Sequence, residues 1–380
     1  MANTSNWCRC TSCHAGYGWE DATFDFTNAF RIDCLICHDT TRTYEKIPTA
    51  CGKEKPGLNL VNIAQTVGKP SRATCGACHF CGGGCDGVKH GDLDSTMISP
   101  DRSHDVHMGG KDFSCQECHK TTEHKIAGAS TTCAVSEGRV RCEDCHPARP
   151  HDNDNPVLKT LNDHGDAIAC QTCHIPVVSK AKPTMIFWDW SKAGDTTRSN
   201  TEEIQADGTI VSYNKIKGEM ITRKNIKPDY AWYNGMHRRY LLGDPVNRSG
   251  STCLNPPLGN INDPKAKITP YKRHHGVQPA DAEYGYLVVP KLFKGYWDHF
   301  DWNKATEDGM KAAGLKYSGK LAFVKTDMYW RLNHEIAPKE NALSCTDCHR
   351  KDGVIDFKAL GYAGDPAVTG GRKTLNAWRQ

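Results

Sequence analysis

The hydrophobic and polar positions along this chain divide it into two kinds of sequence. Residues 1–180 hold few regularly spaced apolar positions and are rich in glycine, aspartate and threonine. This composition predicts short helices joined by irregular loops. The stretch from Pro156 to Thr172 is predicted to form a helix, because its leucine and isoleucine residues recur at helical spacing. These residues offer too little apolar surface for a conventional hydrophobic core.

The following stretch, residues 175–340, is rich in tryptophan and tyrosine and is punctuated by prolines. The segment from Gly208 to Tyr213 is typical of one arm of a β-hairpin, and Asn303 to Leu315 is predicted to form a short helix. One of the longest apolar runs, Tyr286 to Pro290, is far too short to cross a bilayer. We interpret the stretch as a packing layer. The alternative is that it forms the wall of a substrate site or an interface.

The cysteine content points to a specific chemistry that the apolar pattern does not show. The 380 residues include 20 cysteines and 18 histidines. Seven Cys-x-x-Cys-His motifs account for 14 of the cysteines, where about 0.05 copies are expected by chance. Numbered along the chain, they are motif I (Cys10, Cys13, His14), II (Cys34, Cys37, His38), III (Cys75, Cys78, His79), IV (Cys115, Cys118, His119), V (Cys142, Cys145, His146), VI (Cys170, Cys173, His174) and VII (Cys345, Cys348, His349).

The spacing within the motif suits covalent haem attachment. Two thiols three residues apart lie on one side of a helical turn, where each can add to one haem vinyl group, and the next histidine becomes an axial iron ligand. Structural zinc or a redox dithiol would also use paired cysteines. Neither explains a histidine directly after the second cysteine in all seven copies. The sequence therefore predicts seven haem c groups.

A six-coordinate iron needs a second axial ligand, usually His or Met in electron-transfer haems. Eleven histidines lie outside the motifs, and the chain has 8 methionines. Eleven histidines for seven irons favour bis-His ligation. The alternative for any one of them is an ordinary surface or hydrogen-bonded histidine. The preferred distal ligands lie close in sequence to a motif and are His90, His107, His124, His151, His164 and His334.

Six motifs within the first 174 residues leave few residues per haem, so the haem faces must supply much of the apolar interior. The predicted fold is mostly α plus irregular loops, with a haem-packed core and little β beyond a few short hairpins. Three regions follow: a hexahaem cluster in 1–180, a haem-free aromatic-rich wrapping segment in 181–340, and motif VII with a C-terminal tail in 341–380. We expect one continuous body, because motif VII returns the chain to the haems.

The prediction of seven haem c groups also sets the expected net charge and cellular location of the protein. The formal net charge is +4, and seven ferric haems at about −1 each bring it to roughly −3. No basic run with interleaved aromatics indicates nucleic acid. Haem c is attached outside the bacterial cytoplasm, so the chain is expected to be exported, to the periplasm or beyond the cell. Its polar start, Met1 to Ser5, carries no signal peptide.

Six cysteines remain for an oxidising compartment, where disulfides persist. They are Cys8, Cys51, Cys81, Cys85, Cys133 and Cys253. Cys81 and Cys85 flank three glycines, which suits a small disulfide loop. A free thiol or a haem-proximal thiolate is the alternative. Asp152 to Asn155 is a weak calcium candidate. It lacks the full twelve-residue loop pattern, so a solvated turn is the alternative.

Longer stretches around the motifs carry a family resemblance. The chain resembles the octahaem tetrathionate reductase family of multihaem cytochromes c nearly from end to end. The matching stretches are Arg9 to Trp19, Cys34 to Tyr44, Val67 to Phe80, Asp86 to Asp94, Asp105 to Met108, Cys170 to Pro176, Trp188 to Gly194, Asn255 to Gly259 and Asn333 to His349.

This resemblance implies a haem-packed fold and one haem whose distal ligand is a lysine. The matching residue is Lys89, which would serve motif I. The sequence departs from the family in lacking its first haem motif. It also places its nearest upstream cysteine, Cys8, only two residues before motif I. Cys81 and Cys85 stand where the family pattern suggests an aromatic residue and a glycine.

Two functions share the haem chain and differ at one iron. In the first, electrons reach a small sulfur or nitrogen oxyanion such as tetrathionate at the Lys89 haem, which makes Lys89 the candidate catalytic residue. In the second, the protein is a non-catalytic conduit that passes electrons between redox partner proteins, in one form by polymerising into an extracellular filament with haem contacts between subunits. No membrane-spanning segment is predicted in either case.

Overall fold

The computed structural model describes residues 5–82, 84–127 and 140–372. The helices are short, and five of the ten in the described residues carry a haem motif. They are α1 (Leu35–His38), α2 (Leu60–Gln65), α3 (Arg72–His79), α4 (Cys115–Cys118), α5 (Pro156–His164), α6 (Cys170–His174), α7 (Trp297–His299), α8 (Trp302–Ala312), α9 (Cys345–Cys348) and α10 (Pro366–Thr369). The helix predicted over 156–172 is thus two helices, separated by a turn that begins at Gly165.

The strands occupy much of the aromatic-rich region. They are β1 (Thr121–Thr122), β2 (Lys125–Ile126), β3 (Thr184–Asp189), β4 (Thr201–Ile204), β5 (Ile210–Asn214), β6 (Gly218–Arg223), β7 (Asp229–Tyr233), β8 (Thr252–Cys253), β9 (Lys267–Asp281) and β10 (Leu321–Arg331). All but β1 and β2 join one sheet in the order β4-β5-β6-β3-β9-β10-β8, and β7 also pairs with β9. The β3–β9 and β10–β8 pairs are parallel and the other pairs are antiparallel.

This sheet overturns the predicted fold class. Helix makes up 23% and strand 20% of the structure, so the chain is neither mostly α nor poor in β. The prolines that punctuate the region argue against a central strand, since each removes one ladder donor. Strand β9 nevertheless includes Pro270 and Pro279, whose carbonyls accept from the Leu332 and Val288 amides. Residues on both sides of each proline still pair with neighbouring strands.

The sheet supports the two C-terminal motifs directly. At one end of β9, Ile268 exchanges backbone hydrogen bonds with the stretch before α6, and its carbonyl also accepts from the Thr172 hydroxyl at 2.8 Å. The Trp232 indole of β7 donates to the Leu360 carbonyl at 2.8 Å. Ile268 and Trp232 share a buried apolar cluster with Phe357, against which Cys348 of motif VII packs. Motifs VI and VII are therefore held on a rigid β-scaffold.

Elsewhere in the described residues the buried apolar side chains form several small clusters instead of one large core. The start of the chain is tied to the aromatic-rich region, because the Asn6 side chain donates to the Pro290 carbonyl and accepts from the Leu292 amide. Within the described part of the chain, no helix is both long and apolar enough to cross a membrane.

Candidate haem sites

Each motif lies on a single helical turn. Motifs II, III, IV, VI and VII lie on α-helical turns, and motifs I and V lie on 3₁₀ turns. Polar residues begin several of these turns: the Ser71 hydroxyl accepts from the Thr74 amide before motif III, and the Ser344 hydroxyl donates to Asp347 at motif VII. A helical turn is the conformation that places both cysteines of a motif on one side of the backbone.

Cysteines of different motifs lie next to one another. The Cys78 thiol is 3.0 Å from the Cys13 carbonyl. Side chains of motifs I and III, III and IV, and V and VI are in hydrogen-bonding contact through their cysteines. Motifs IV and V, VI and VII, and II and III are close enough for their cysteines to interact electrostatically. The motifs therefore form one connected series, I–III–IV–V–VI–VII, with motif II beside motif III.

Four motif histidines each face a histidine from elsewhere in the chain. Ring centroids are 6.1 Å apart for His38 and His124, for His146 and His107, and for His349 and His164, and 6.2 Å apart for His119 and His334. A metal–imidazole bond is about 2 Å long, so two imidazoles on opposite sides of one metal have centroids roughly 6 Å apart. The residues of these four sites thus fit a bis-His iron.

Hydrogen bonds at the second ring nitrogen orient these imidazoles. His38 Nδ1 is 2.7 Å from the Gly68 carbonyl, and His164 Nδ1 is 2.8 Å from the Thr160 carbonyl. Carboxylates take this position twice: Asp92 lies 3.2 Å from His334 Nδ1, and Asp365 lies 2.6 Å from His349 Nδ1. A ring that donates from Nδ1 leaves Nε2 free to bind a metal, which is the usual arrangement of metal-ligating histidines.

Asp92 is a buried residue that sequence reasoning missed. Its side chain accepts the amides of Asn333 at 2.7 Å and His334 at 2.9 Å in addition to the imidazole. Burial opposes its ionisation, but the hydrogen bond and charge of His334 lower the pKa of Asp92 to about 2. Asp365 was missed as well. Nothing in the sequence marks either as an acceptor, since both contacts depend on how the chain folds.

The other two predicted distal histidines also lie near motif histidines. His90 interacts electrostatically with His79 of motif III, and burial lowers the pKa of His90 to about 4. Its ring packs edge-on against Trp330, with centroids 4.8 Å apart. His151 interacts electrostatically with His174 of motif VI. Of the remaining free histidines, His104 contacts Glu335 and His275 contacts Asp327. His274 is close enough to Lys89 to interact with it electrostatically. His237 and His299 belong to the aromatic-rich region.

Lys89 is the candidate beside motif I. It interacts electrostatically with Cys10, and burial lowers the pKa of its ammonium group. The backbone of Lys89 is fixed by Lys272, a fully buried residue of β9 that sequence reasoning also missed. Lys272 Nζ donates to the carbonyls of Val88 and Lys89 at 2.8 Å each and to the Thr184 hydroxyl at 2.7 Å.

The six cysteines outside the haem motifs differ in their bonding. Cys8 and Cys51 form a disulfide. Cys81, Cys85 and Cys253 are free thiols, so the disulfide considered between Cys81 and Cys85 is not formed. Cys133 lies outside the described residues.

In the calcium candidate, Asp152 to Asn155, the asparagine side chains make local hydrogen bonds. The Asn155 side chain caps the start of α5 by accepting from the Val157 and Leu158 amides. The Asn153 side chain accepts from Asn162. In the residues that the structure describes, no cluster of three or more His, Cys, Asp or Glu side chains is arranged around a common metal position.

The helical-turn motifs and facing imidazoles define the class of this protein, a multihaem c-type cytochrome. A family model described as "Cytochrome c bacterial" matches residues 185–352. The crystal structure of the octaheme cytochrome c from Shewanella oneidensis is 48% identical, covers 97% of this chain and 83% of that one, and superposes with a TM-score of 0.88. The chain belongs to the family of that octahaem cytochrome, which confirms the family resemblance of its motifs. Comparison with curated proteins gives no match.

Proposed function

We propose that all seven motifs attach haem c and that the protein transfers electrons along the series I–III–IV–V–VI–VII, with motif II as a side branch. Haem c supplies reversible one-electron chemistry. The observation that carries this proposal is the contact between cysteines of successive motifs, because each cysteine marks the edge of its haem. Haems attached to neighbouring cysteines would lie close together, which favours electron transfer between them.

We assign six of these irons two histidines each. The facing pairs at 6.1–6.2 Å support this ligation for motifs II, IV, V and VII. The electrostatic contacts of His90 and His151 support it for motifs III and VI. Each distal histidine comes from a segment other than that of its motif, so these side chains also connect distant parts of the chain.

We assign Lys89 as the distal ligand of motif I and place reduction of a small sulfur or nitrogen oxyanion, such as tetrathionate, there. An amine can bind iron only when it is unprotonated, and burial of Lys89 favours that form. Lys272 holds the Lys89 backbone. Burial and the nearby Lys89 lower the pKa of Lys272 well below its usual range, so the two neighbouring lysines disfavour protonation of each other.

A conduit without catalysis is the second candidate. Phe26, Phe30 and Ile32, which lie between motifs I and II, are 71%, 98% and 61% exposed. Exposed apolar residues this close together favour contact with another molecule, and a contact beside motif I or II would let electrons pass between subunits. Electron microscopy and light scattering of the purified holoprotein test for filaments.

The reductase is tested by tetrathionate-dependent oxidation of reduced viologen by the holoprotein. Lys89→His would give motif I a second imidazole and should reduce turnover at least tenfold. Lys224→His, at an exposed position away from the motifs, is the matched control and should leave turnover unchanged. Full activity of Lys89→His, or no activity of the wild type with any sulfur or nitrogen oxyanion, would favour the conduit.

The same assignment sets the compartment and partners. Haem c attachment requires export, so we place the protein in the periplasm or outside the cell, where redox proteins are its partners. Seven ferric haems would make its net charge roughly −3. Counting haems by the alkaline pyridine assay tests the number seven, and fractionation of cells distinguishes the two locations.

A further inference from the structure

One face of the sheet carries arginine and tyrosine side chains that the haem assignments do not use. On strands β9 and β10, Tyr271 lies opposite Arg331, and Arg273 lies opposite Tyr329. Opposite residues of an antiparallel pair point to the same face, so the two arginines are diagonal neighbours. Lys272 points to the other face, because side chains alternate along a strand, and it holds the candidate lysine of motif I there. The arginines and tyrosines therefore lie on the side of the sheet away from motif I.

Aromatic rings hold the two guanidinium groups in place. The guanidinium carbon of Arg273 is 5.3 Å from the centre of the Tyr329 ring, and that of Arg331 is 4.8 Å from the centre of the Tyr233 ring. The Nε atoms of both arginines are buried, and neither has a hydrogen-bond acceptor among the described residues. Buried donors are nearly always paired in folded proteins. These two atoms therefore indicate an acceptor that a ligand supplies.

A histidine beside the arginines also lacks partners. The ring of His237 packs against Tyr233 and Tyr271, with centroids 4.7 Å and 5.9 Å away. Both of its ring nitrogens are buried and have no hydrogen-bond partner in the part of the chain that the structure describes. Burial and the charges of Arg331 and Arg239 lower the pKa of His237 to about 4, so both guanidinium groups lie near this ring. The neutral imidazole still has one N–H to donate.

An open cavity of about 640 Å³ adjoins these side chains. Arg273 lines the cavity, and so does Pro257, which forms a β-bridge with His237. Tyr230 is also part of the wall and interacts electrostatically with Cys348 of motif VII. The volume falls within the range of about 300–1,000 Å³ that is typical of ligand pockets. The cavity can therefore hold a small ligand, and it lies beside motif VII.

The carboxylates near the cavity leave these donors available. Asp327 lies 3.2 Å from Arg273 Nη2 and 2.6 Å from His275 Nδ1, so its charge is already shared by two partners. Asp356 accepts a backbone amide of its own segment at 3.0 Å. Loss of solvent raises the pKa of Asp229, which favours the neutral form of that side chain. The unpartnered groups are cationic or neutral donors, and such donors favour an anionic ligand.

We propose that Arg273, Arg331 and His237 form a binding site for a small tetrahedral oxyanion of the sulfate or phosphate type. The planar guanidinium group presents its N–H donors as a fork, which matches two oxygens of such an anion. The site is separate from the one proposed at motif I and does not depend on the reductase function. A bound dianion beside motif VII should also make the haem of that motif harder to reduce.

Isothermal titration calorimetry of the ferric holoprotein tests the site, with sodium sulfate and sodium phosphate as separate ligands and sodium chloride at the same ionic strength as the reference. We expect one sulfate or phosphate per chain. Arg331→Gln should weaken binding at least about tenfold by removing charge-assisted hydrogen bonds. His237→Phe keeps the ring packing but removes both nitrogens, and it should weaken binding as well. Haem content and the absorption spectrum show that each variant is folded, and either variant alone decides the result.

Arg198→Gln is the matched control. Arg198 also lies over a tyrosine, with its guanidinium carbon 3.8 Å from the centre of the Tyr213 ring, but it pairs with Glu219. Its affinity should equal that of the wild type. No binding of either anion at millimolar concentration, or equal binding by the wild type and both site variants (an adventitious ion only), would overturn the proposal. A motif VII potential that is the same in sulfate and in chloride would overturn the placement beside that haem.

Discussion

The carboxylate of Asp92 provides a quantitative test of the axial assignment at motif IV. Asp92→Asn removes one negative charge but keeps an oxygen that can accept from Asn333, the His334 amide and the His334 imidazole. The side chain is nearly inaccessible to solvent, so screening is weak. A negative charge behind an axial imidazole stabilises ferric iron. Its removal should therefore raise the reduction potential of that haem.

The size of this shift follows from distances. The carboxylate oxygen lies 3.2 Å from His334 Nδ1, and an iron bound at Nε2 would be about 4 Å further on. Two unit charges about 7 Å apart interact by about 2.4 kcal/mol at an effective dielectric constant of about 20. For a one-electron couple this corresponds to a rise of about 100 mV.

Spectroelectrochemical titration with parallel EPR of the ferric protein resolves the shift as one component among the haems. Asp281→Asn is the matched control. Asp281 is also buried, but its carboxylate accepts from the amide and hydroxyl of Ser318, which belongs to no haem motif. Its titration curve should match that of the wild type. A change below about 20 mV for Asp92→Asn, or an equal change in the control, would refute the assignment of His334 to motif IV.

Three further predictions concern other contacts. Asp365→Asn should raise the potential of the motif VII haem, but by roughly half or less of the Asp92 effect, because solvent reaches this partly exposed carboxylate and screens it; an equal or larger rise in the same titration would contradict this. Replacing Cys8 and Cys51 by serine should lower the free energy of unfolding by up to about 4 kcal/mol, measured by denaturant titration, since the bridge closes a 43-residue separation; an unchanged midpoint would show that the bridge is not formed. Lys272→Met should cost on the order of 3 kcal/mol in the same assay by leaving buried acceptors unpaired, and an unchanged EPR spectrum of the ferric protein would argue against its support of motif I.

Local spacing made the haem motifs readable from the sequence, because covalent attachment needs only neighbouring residues on one turn. The preferred distal candidates were also chosen by closeness in sequence, and four of them lie opposite a motif histidine. Their partners could not be chosen that way. His334 faces His119 from 215 positions away, and His124 faces His38 across 86 positions.

The sheet is where sequence reasoning failed. Aromatic and β-branched residues suit strands, but the region was interpreted as a packing layer punctuated by prolines, and Gly208–Tyr213 was the one hairpin arm located in it. That arm is present as β5, paired on both sides. Strand pairing depends on segments far apart in the chain, and a proline is tolerated once neighbouring strands satisfy the groups around it.

What the sequence by itself determined is therefore the chemistry: seven thiol pairs, each with an adjacent imidazole, and a supply of further histidines and one matching lysine. What only the tertiary structure decided is the environment of those groups. Burial and hydrogen bonds place Asp92 behind His334 and Lys272 beneath Lys89. These contacts are long-range, and the free energy that forms them comes from packing of the whole chain, so no local pattern could encode them.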